Sequence, residues 1–461
     1  DSSRSIILGN IYSNGKLFLN NPNGITIGAN ANINANTFIA SAMKIANQDF
    51  LNRNYNYTQD QQSLIEQNGT IDSQYVALLA TDVQNNGEIN SKNGSVNLAA
   101  SDNMILKINS DNSLQVKVNP SQLKASVSNK GVIVADNGTV SIKADMAQDA
   151  IAATIKAPEN QATGLVSENG VIKLITNTGS IKAKKVTLDA GDNGAVVNSG
   201  KIDTSSTTSV GGSVELIGKE VIVEKGSEVI ASGKDLGGTI YLGNPQLLNS
   251  ITDNTFVTLE QNTLLDVSSL DNSAGVVEIR SNNLGTNGNG AQGSMTSVNG
   301  VILARTGSSR REGFAEVIIS GFDINLNEIY IDASSENDIG GDIIVEAFND
   351  VIGGEVSLIS NGQVKGGDIN VVSLFGDVNL NKSEIQTNAS AGRGGTVNVN
   401  SKQSIIIIDS NISARGSPTG GEIIIQSNEN DVNLQASVIQ TNGSAGRGGT
   451  IFVDAHNNLT I

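Results

Sequence analysis

The chain has 461 residues, 50 of them glycine, with no cysteine, no tryptophan and 3% aromatic side chains. It is longer than an ordinary single domain, yet has too few large side chains for several compact cores. A formal net charge of −17 argues against nucleic acid as a partner, and the lack of cysteine excludes disulfides, thiolate metal sites and cysteine nucleophiles.

Read from the amino terminus, Ser2 to Ser41 alternates apolar and polar residues around the turn sequence Asn21-Pro22-Asn23-Gly24-Ile25. The nearest helical candidates, Gln59 to Gln67 and Asp145 to Lys156, read as local excursions. Asn85 to Ala100 and Asn129 to Ala144 are equivalent at an offset of 44 residues, which reads as two turns of about 22. Further on, a short pattern of glycine followed by two alternate aliphatic residues recurs. It starts at Gly212 and Gly238, and returns at Gly341, Gly367, Gly395, Gly421 and Gly449. The steps are nearly even, a period of about 26 to 28 residues that falls in the range of solenoid repeats. Ala315 takes the glycine's place one such step before Gly341. The near-identical phrases QTNASAGRGGTVNV (from Gln386) and QTNGSAGRGGTIFV (from Gln440) lie two steps apart, so they are two samples of one rhythm, not a duplicated domain.

Each unit holds about three short strands separated by Gly, Asn and Ser turns, and no unit can bury its inner face alone. Stacked as coils, the units pair strand on strand at about 4.8 Å. The expected fold is all-β, a right-handed parallel β-helix with coils of about 20–28 residues. Corner glycines at Gly212, Gly238, Gly341, Gly367, Gly395, Gly421 and Gly449 are expected because sharp corners strain a residue with a Cβ. The rhythm is broken at Asn244 to Asn262 and at Gly285 to Arg311, which read as insertions. No polar cap follows Ile461, so the coil stack is expected to continue beyond it.

Catalytic equipment is thin. The single histidine, His456, lies in the last partial coil, so Ser-His-Asp catalysis and histidine zinc sites are not expected. The carboxylate pairs Asp332 with Glu336 and Asp338 with Asp342 lie near turns, but little aromatic surface exists to grip sugar rings. The GG corners lack the aspartate step of a calcium β-roll, and no cofactor or metal is expected. No apolar run approaches the length that a membrane-spanning helix needs.

The segment SSRSIILGNIYSNGKLFLNNPNGITIGANANINANTFIAS (Ser2 to Ser41), with NQDFLNRNYNY (Asn47 to Tyr57) and the stretch Asn68 to Ala100, resembles the secretion domain of two-partner-secretion exoproteins of the filamentous haemagglutinin family. The ordered match spans about 100 residues; the downstream GG repeats resemble the rod of the same family through period and composition. The resemblance implies a Gram-negative secreted or cell-surface protein, exported through an outer-membrane β-barrel partner. It implies that Asn21, Pro22, Asn23, Gly24 and Ile25 serve transporter recognition or nucleation through their turn. The family's domain begins further upstream, so this chain is expected to begin inside it.

The organisation expected is part of a secretion domain over 1–110, a β-helix with the two insertions over 111–330, and regular GG repeats over 331–461. The leading reading is a non-enzymatic adhesin rod that contacts a host-cell or bacterial-surface glycan or protein and associates laterally or end to end with itself. The alternatives are a stalk for a contact-dependent growth-inhibition toxin and, behind both, a polysaccharide-degrading β-helix enzyme.

Overall fold

Short alternating strands with apolar residues at every second position bury one face only if another layer covers it. In the computed structural model of the chain that layer is the chain's own next coil. The structure describes residues 3–156, 165–247, 253–281, 294–307 and 315–461. It is 56% strand and 3% helix, and it divides into two compact units, each a parallel β-helix. One unit is Asp1–Asp203 with Val214–Ile222; the other is Thr204–Ser213 with Val223–Ile461. Strands pair across both 110 and 330, as Glu88 with Val132 and Tyr330 with Ser357.

In the first unit, Ile33, Ile71, Ile89, Ile133, Ile181 and Ile202 are consecutive register partners, all fully buried. Phe38, Val76, Val96, Val140 and Val186 form a second ladder on another wall. Burial of each such side chain contributes roughly 1.5–3 kcal/mol. Because each residue stacks on its like, one sheet register satisfies all of them together.

The long offset between the two equivalent stretches is one coil, not two: Ser95 pairs directly with Thr139, and Asp82 with Ser126. The extra length leaves the coil as a hairpin, Asn103–Ile108 and Leu114–Val118. The hairpin joins Tyr55–Thr58 in a separate three-stranded antiparallel sheet. One face of that sheet buries Tyr57, Met104, Leu106, Leu114 and Val116 against Ile39, Met43, Ala77, Leu79 and Ala99. Two other long steps carry short helices, Asn47–Leu51 and Gln148–Lys156. The second falls in an expected helical excursion. Within the other expected excursion, Leu64–Gln67 is instead a coil strand with Ile65 fully buried.

In the second unit Glu316, Asp342, Asp368, Thr396, Glu422 and Thr450 are successive register partners. Their spacing reproduces the glycine rhythm step for step. Behind them Val317, Ile343, Ile369, Val397 and Ile423 form the buried ladder. The expected insertions contain coil strands: Phe256–Leu259 pairs with Met295–Leu303, which in turn pairs with Asp323–Asp332. The rhythm is obscured there because the steps lengthen: Thr239, Val276 and Glu316 are successive register partners 37 and 40 residues apart. Of the second expected insertion, Gly285 to Arg311, residues 285–293 and 308–311 lie outside the described residues.

Candidate functional site

Asn21 to Ile25 form a turn held from several directions. The Gly24 N–H donates to the Asn21 carbonyl at 3.0 Å, and the Asn23 N–H donates to Asn21 Oδ1 at 3.0 Å. A β-turn and an Asx turn thus close on the same residue. Gly24 has φ +110°, where a side chain is strained. Asn21 is 6% exposed; its Nδ2 donates to the Ser3 carbonyl at 2.9 Å and to Ser5 Oγ at 2.8 Å. Its backbone N–H donates to the Ser41 carbonyl at 2.9 Å. Asn23 sits on the exposed side, while Ile25 opens the next coil strand, fully buried against Ile65.

Sequence reasoning missed Gln59. Its Nε2 donates to the Pro22 carbonyl at 2.9 Å and to the Ala42 carbonyl at 3.0 Å, so it fastens the turn to a strand end of the same stack. It is 7% exposed. A glutamine bracketed by polar residues carries no periodic signal; both its partners are backbone carbonyls 37 and 17 residues away.

Backbone conformation does not account for the glycines expected at corners. Positive φ values occur at other glycines, among them Gly24, Gly170 and Gly226, but at none of the seven corner positions. What requires glycine is stacking. A Cβ on Gly367 would overlap the Gly341 carbonyl oxygen, one on Gly395 that of Gly367, one on Gly421 that of Gly395, and one on Gly449 that of Gly421. Gly238 stands likewise on Gly212, and Gly341 on Ala315. Each corner is closed at its neck, as where the Gly341 N–H donates to the Ala333 carbonyl at 2.7 Å.

Each acidic candidate has its own surroundings. Asp332 binds Arg305 Nε at 2.6 Å and accepts the Ser334 N–H at 3.0 Å. Burial pushes its carboxyl up, but the Ser334 hydrogen bonds and the Arg305 guanidinium outweigh this and hold it below the usual range. Asp338 accepts the Ile339 N–H, and Glu336 is exposed. Asp342 is raised by burial and by its register neighbour Asp368. His456 lies exposed in a bend. Among the described residues no group of His, Cys, Asp and Glu is arranged to hold a metal ion.

Residues 1–183 match the family model of the TPS secretion domain. The chain carries a two-partner-secretion domain. The match runs past the expected limit at residue 110 and takes in the antiparallel sheet and both short helices. The secretion domain of HMW1 from Haemophilus influenzae shares the fold: 24% identity, TM-score 0.53, covering 70% of this chain and 79% of that one. No curated protein sequence matches. Over residues 1–183, then, the chain resembles a two-partner-secreted exoprotein. Its secretion domain implies an outer-membrane transporter as partner and secretion across the outer membrane of a Gram-negative bacterium.

Proposed function

We propose that the chain is the export module and part of the β-helical scaffold of a cell-surface adhesin similar to filamentous haemagglutinin, non-enzymatic, presenting its outer faces to a glycan or protein receptor. Within the secretion domain, the Asn21–Ile25 turn nucleates coil formation as the chain emerges from its transporter. The observation that supports this is the convergence of Asn21 and Gln59. Their side chains link the turn to the residues before it and to Ala42 through four hydrogen bonds, so the first closed coil depends on them. Because coils contact only their neighbours, a formed coil templates the next without any distant partner.

The test is secretion of the full-length exoprotein through its transporter, with Asn21→Ala and Gln59→Leu beside the unaltered chain. Both variants are expected to accumulate inside the outer membrane and be degraded; undiminished secretion of both removes the nucleation role. The adhesin reading is tested separately by binding of the secreted protein to a glycan array and to intact cells, and lack of saturable binding to either overturns it.

A further inference from the structure

The antiparallel sheet stands outside the coil stack, and between it and the outer faces of the coils runs a groove of about 790 Å³. Its charge runs against that of the chain. Lys107, Lys117, Lys143 and Lys185 line it, with Asp189 and Glu215 as the two carboxylates. Lys143 is 3.9 Å from Asp189, and Lys185 is 2.9 Å from Glu215. Lys107 and Lys117 are exposed and, among the described residues, have no ion-pair partner. Four cations against two anions make a positive groove in a protein of net charge −17.

The wall of this groove is a strand edge. Leu114, Gln115, Val116 and Lys117 all line it, four consecutive residues where a strand presenting one face would contribute alternate ones. The strand Leu114–Val118 pairs with Asn103–Ile108 on one side and, among the described residues, with no strand on the other. The Asn109 N–H donates to the Ser113 carbonyl and the Asn119 N–H to the Asn103 carbonyl. With the register Ile105 to Lys117 and Lys107 to Gln115, these bonds place the exchanged pairs at odd-numbered positions. The peptide groups of Leu114, Val116 and Val118 therefore turn outward, away from the hairpin. A free edge of this kind is a template for one more strand.

We infer that this groove receives an extended, acidic segment of a partner polypeptide, which adds as a fourth strand along Leu114–Val118. The backbone of the edge supplies the hydrogen bonds, and Lys107 and Lys117 select for carboxylates. A polysaccharide fits less well, because no aromatic ring lines the groove and an unpaired ladder is matched by peptide groups rather than hydroxyls. The edge is five residues long, about 17 Å, which suits a segment of five to seven residues.

The test uses the whole chain and a fluorescent heptapeptide of alternating Glu and Val. Anisotropy at low salt is expected to show saturable binding, with hydrogen-exchange protection appearing at residues 114–118. Methylating alternate peptide nitrogens of the probe, or the double change Lys107→Glu with Lys117→Glu, is expected to weaken binding by at least about tenfold. Both lysines are exposed, so the variant's unchanged circular dichroism serves as the folding control. No binding overturns the proposal. So does equal binding of the N-methylated peptide, or equal competition by a galacturonate oligomer without protection at 114–118; either would mark a plain polyanion surface.

Discussion

Asn85 donates from Nδ2 to Oδ1 of Asn129 at 2.7 Å, although 44 residues separate them in the chain. Asn129 passes the same bond to Asn177, and Asn177 to Asn198, each at 2.7 Å and each side chain fully buried. Identical amides at one coil step satisfy each other only if the register is right, so the ladder fixes stacking as well as stabilising it. The change Asn129→Leu would strand the Asn85 donor and the Asn177 acceptor in a dry interior. Two unsatisfied groups cost about 2–6 kcal/mol together. A urea midpoint for the variant within error of the unaltered chain would show that the ladder is dispensable.

The stacked glycines make a sharper test, because their requirement is contact rather than conformation. Gly367→Ala places a methyl against the Gly341 carbonyl, with the Gly340 backbone also close, and backbone cannot yield as a flexible side chain can. We expect a loss of about 1–3 kcal/mol, of the size seen for overpacking. Gly9→Ala is the control, since nothing lies within 4 Å of its added carbon. Equal melting temperatures for the two variants would mean that the coils part without strain.

These two features differ in how far the sequence revealed them. In the second unit the later coils repeat one another at a nearly constant step, so Gly341, Gly367, Gly395, Gly421 and Gly449 announce the register without a structure. In the first unit the steps between partners are uneven, because Asn47–Leu51, the hairpin Asn103–Val118 and Gln148–Lys156 leave the coil at three places. No period survives such excursions, and the step from Ser95 to Thr139 therefore reads as two turns in the sequence. The Asn21–Ile25 turn was legible from its own residues. Its anchor Gln59 was not, because a side chain that binds carbonyls leaves no pattern on the partner's sequence.

That anchor can be tested apart from secretion. Gln59→Leu keeps the volume but leaves the Pro22 and Ala42 carbonyls without their donor, and Asn21→Ala frees Ser3 and Ser5. Each loss is expected to cost about 1–3 kcal/mol. The cost should appear locally, as faster hydrogen exchange in Ile25–Ile27 and Asn32–Ser41, with the second unit unaffected, because coil stacks transmit stability only to neighbours. Exchange that rises evenly over the whole chain would contradict a local anchor.

The last prediction concerns pH. Asp145 sits at the rim of a small pocket with Lys117, Lys143, Asp189 and Gly191, and its Oδ1 has no hydrogen-bond partner among the described residues. Burial raises its carboxyl to about 6; the Met146 N–H opposes the rise, and the charges of Asp192 and Asp189 add to it. A carboxyl whose folded pKa lies above its unfolded value of about 3.9 binds its proton more tightly in the folded state. Its contribution to stability is therefore present below about pH 4 and is lost as the pH rises through 6. Asp145→Asn keeps the shape and removes the charge, so the variant should melt higher than the unaltered chain at pH 7. The difference should shrink or vanish at pH 4, where Asp145 already carries its proton. Melting curves at the two pH values decide it: an Asn variant that gains nothing at pH 7, or gains equally at both, would show that ionised Asp145 is not a strained charge.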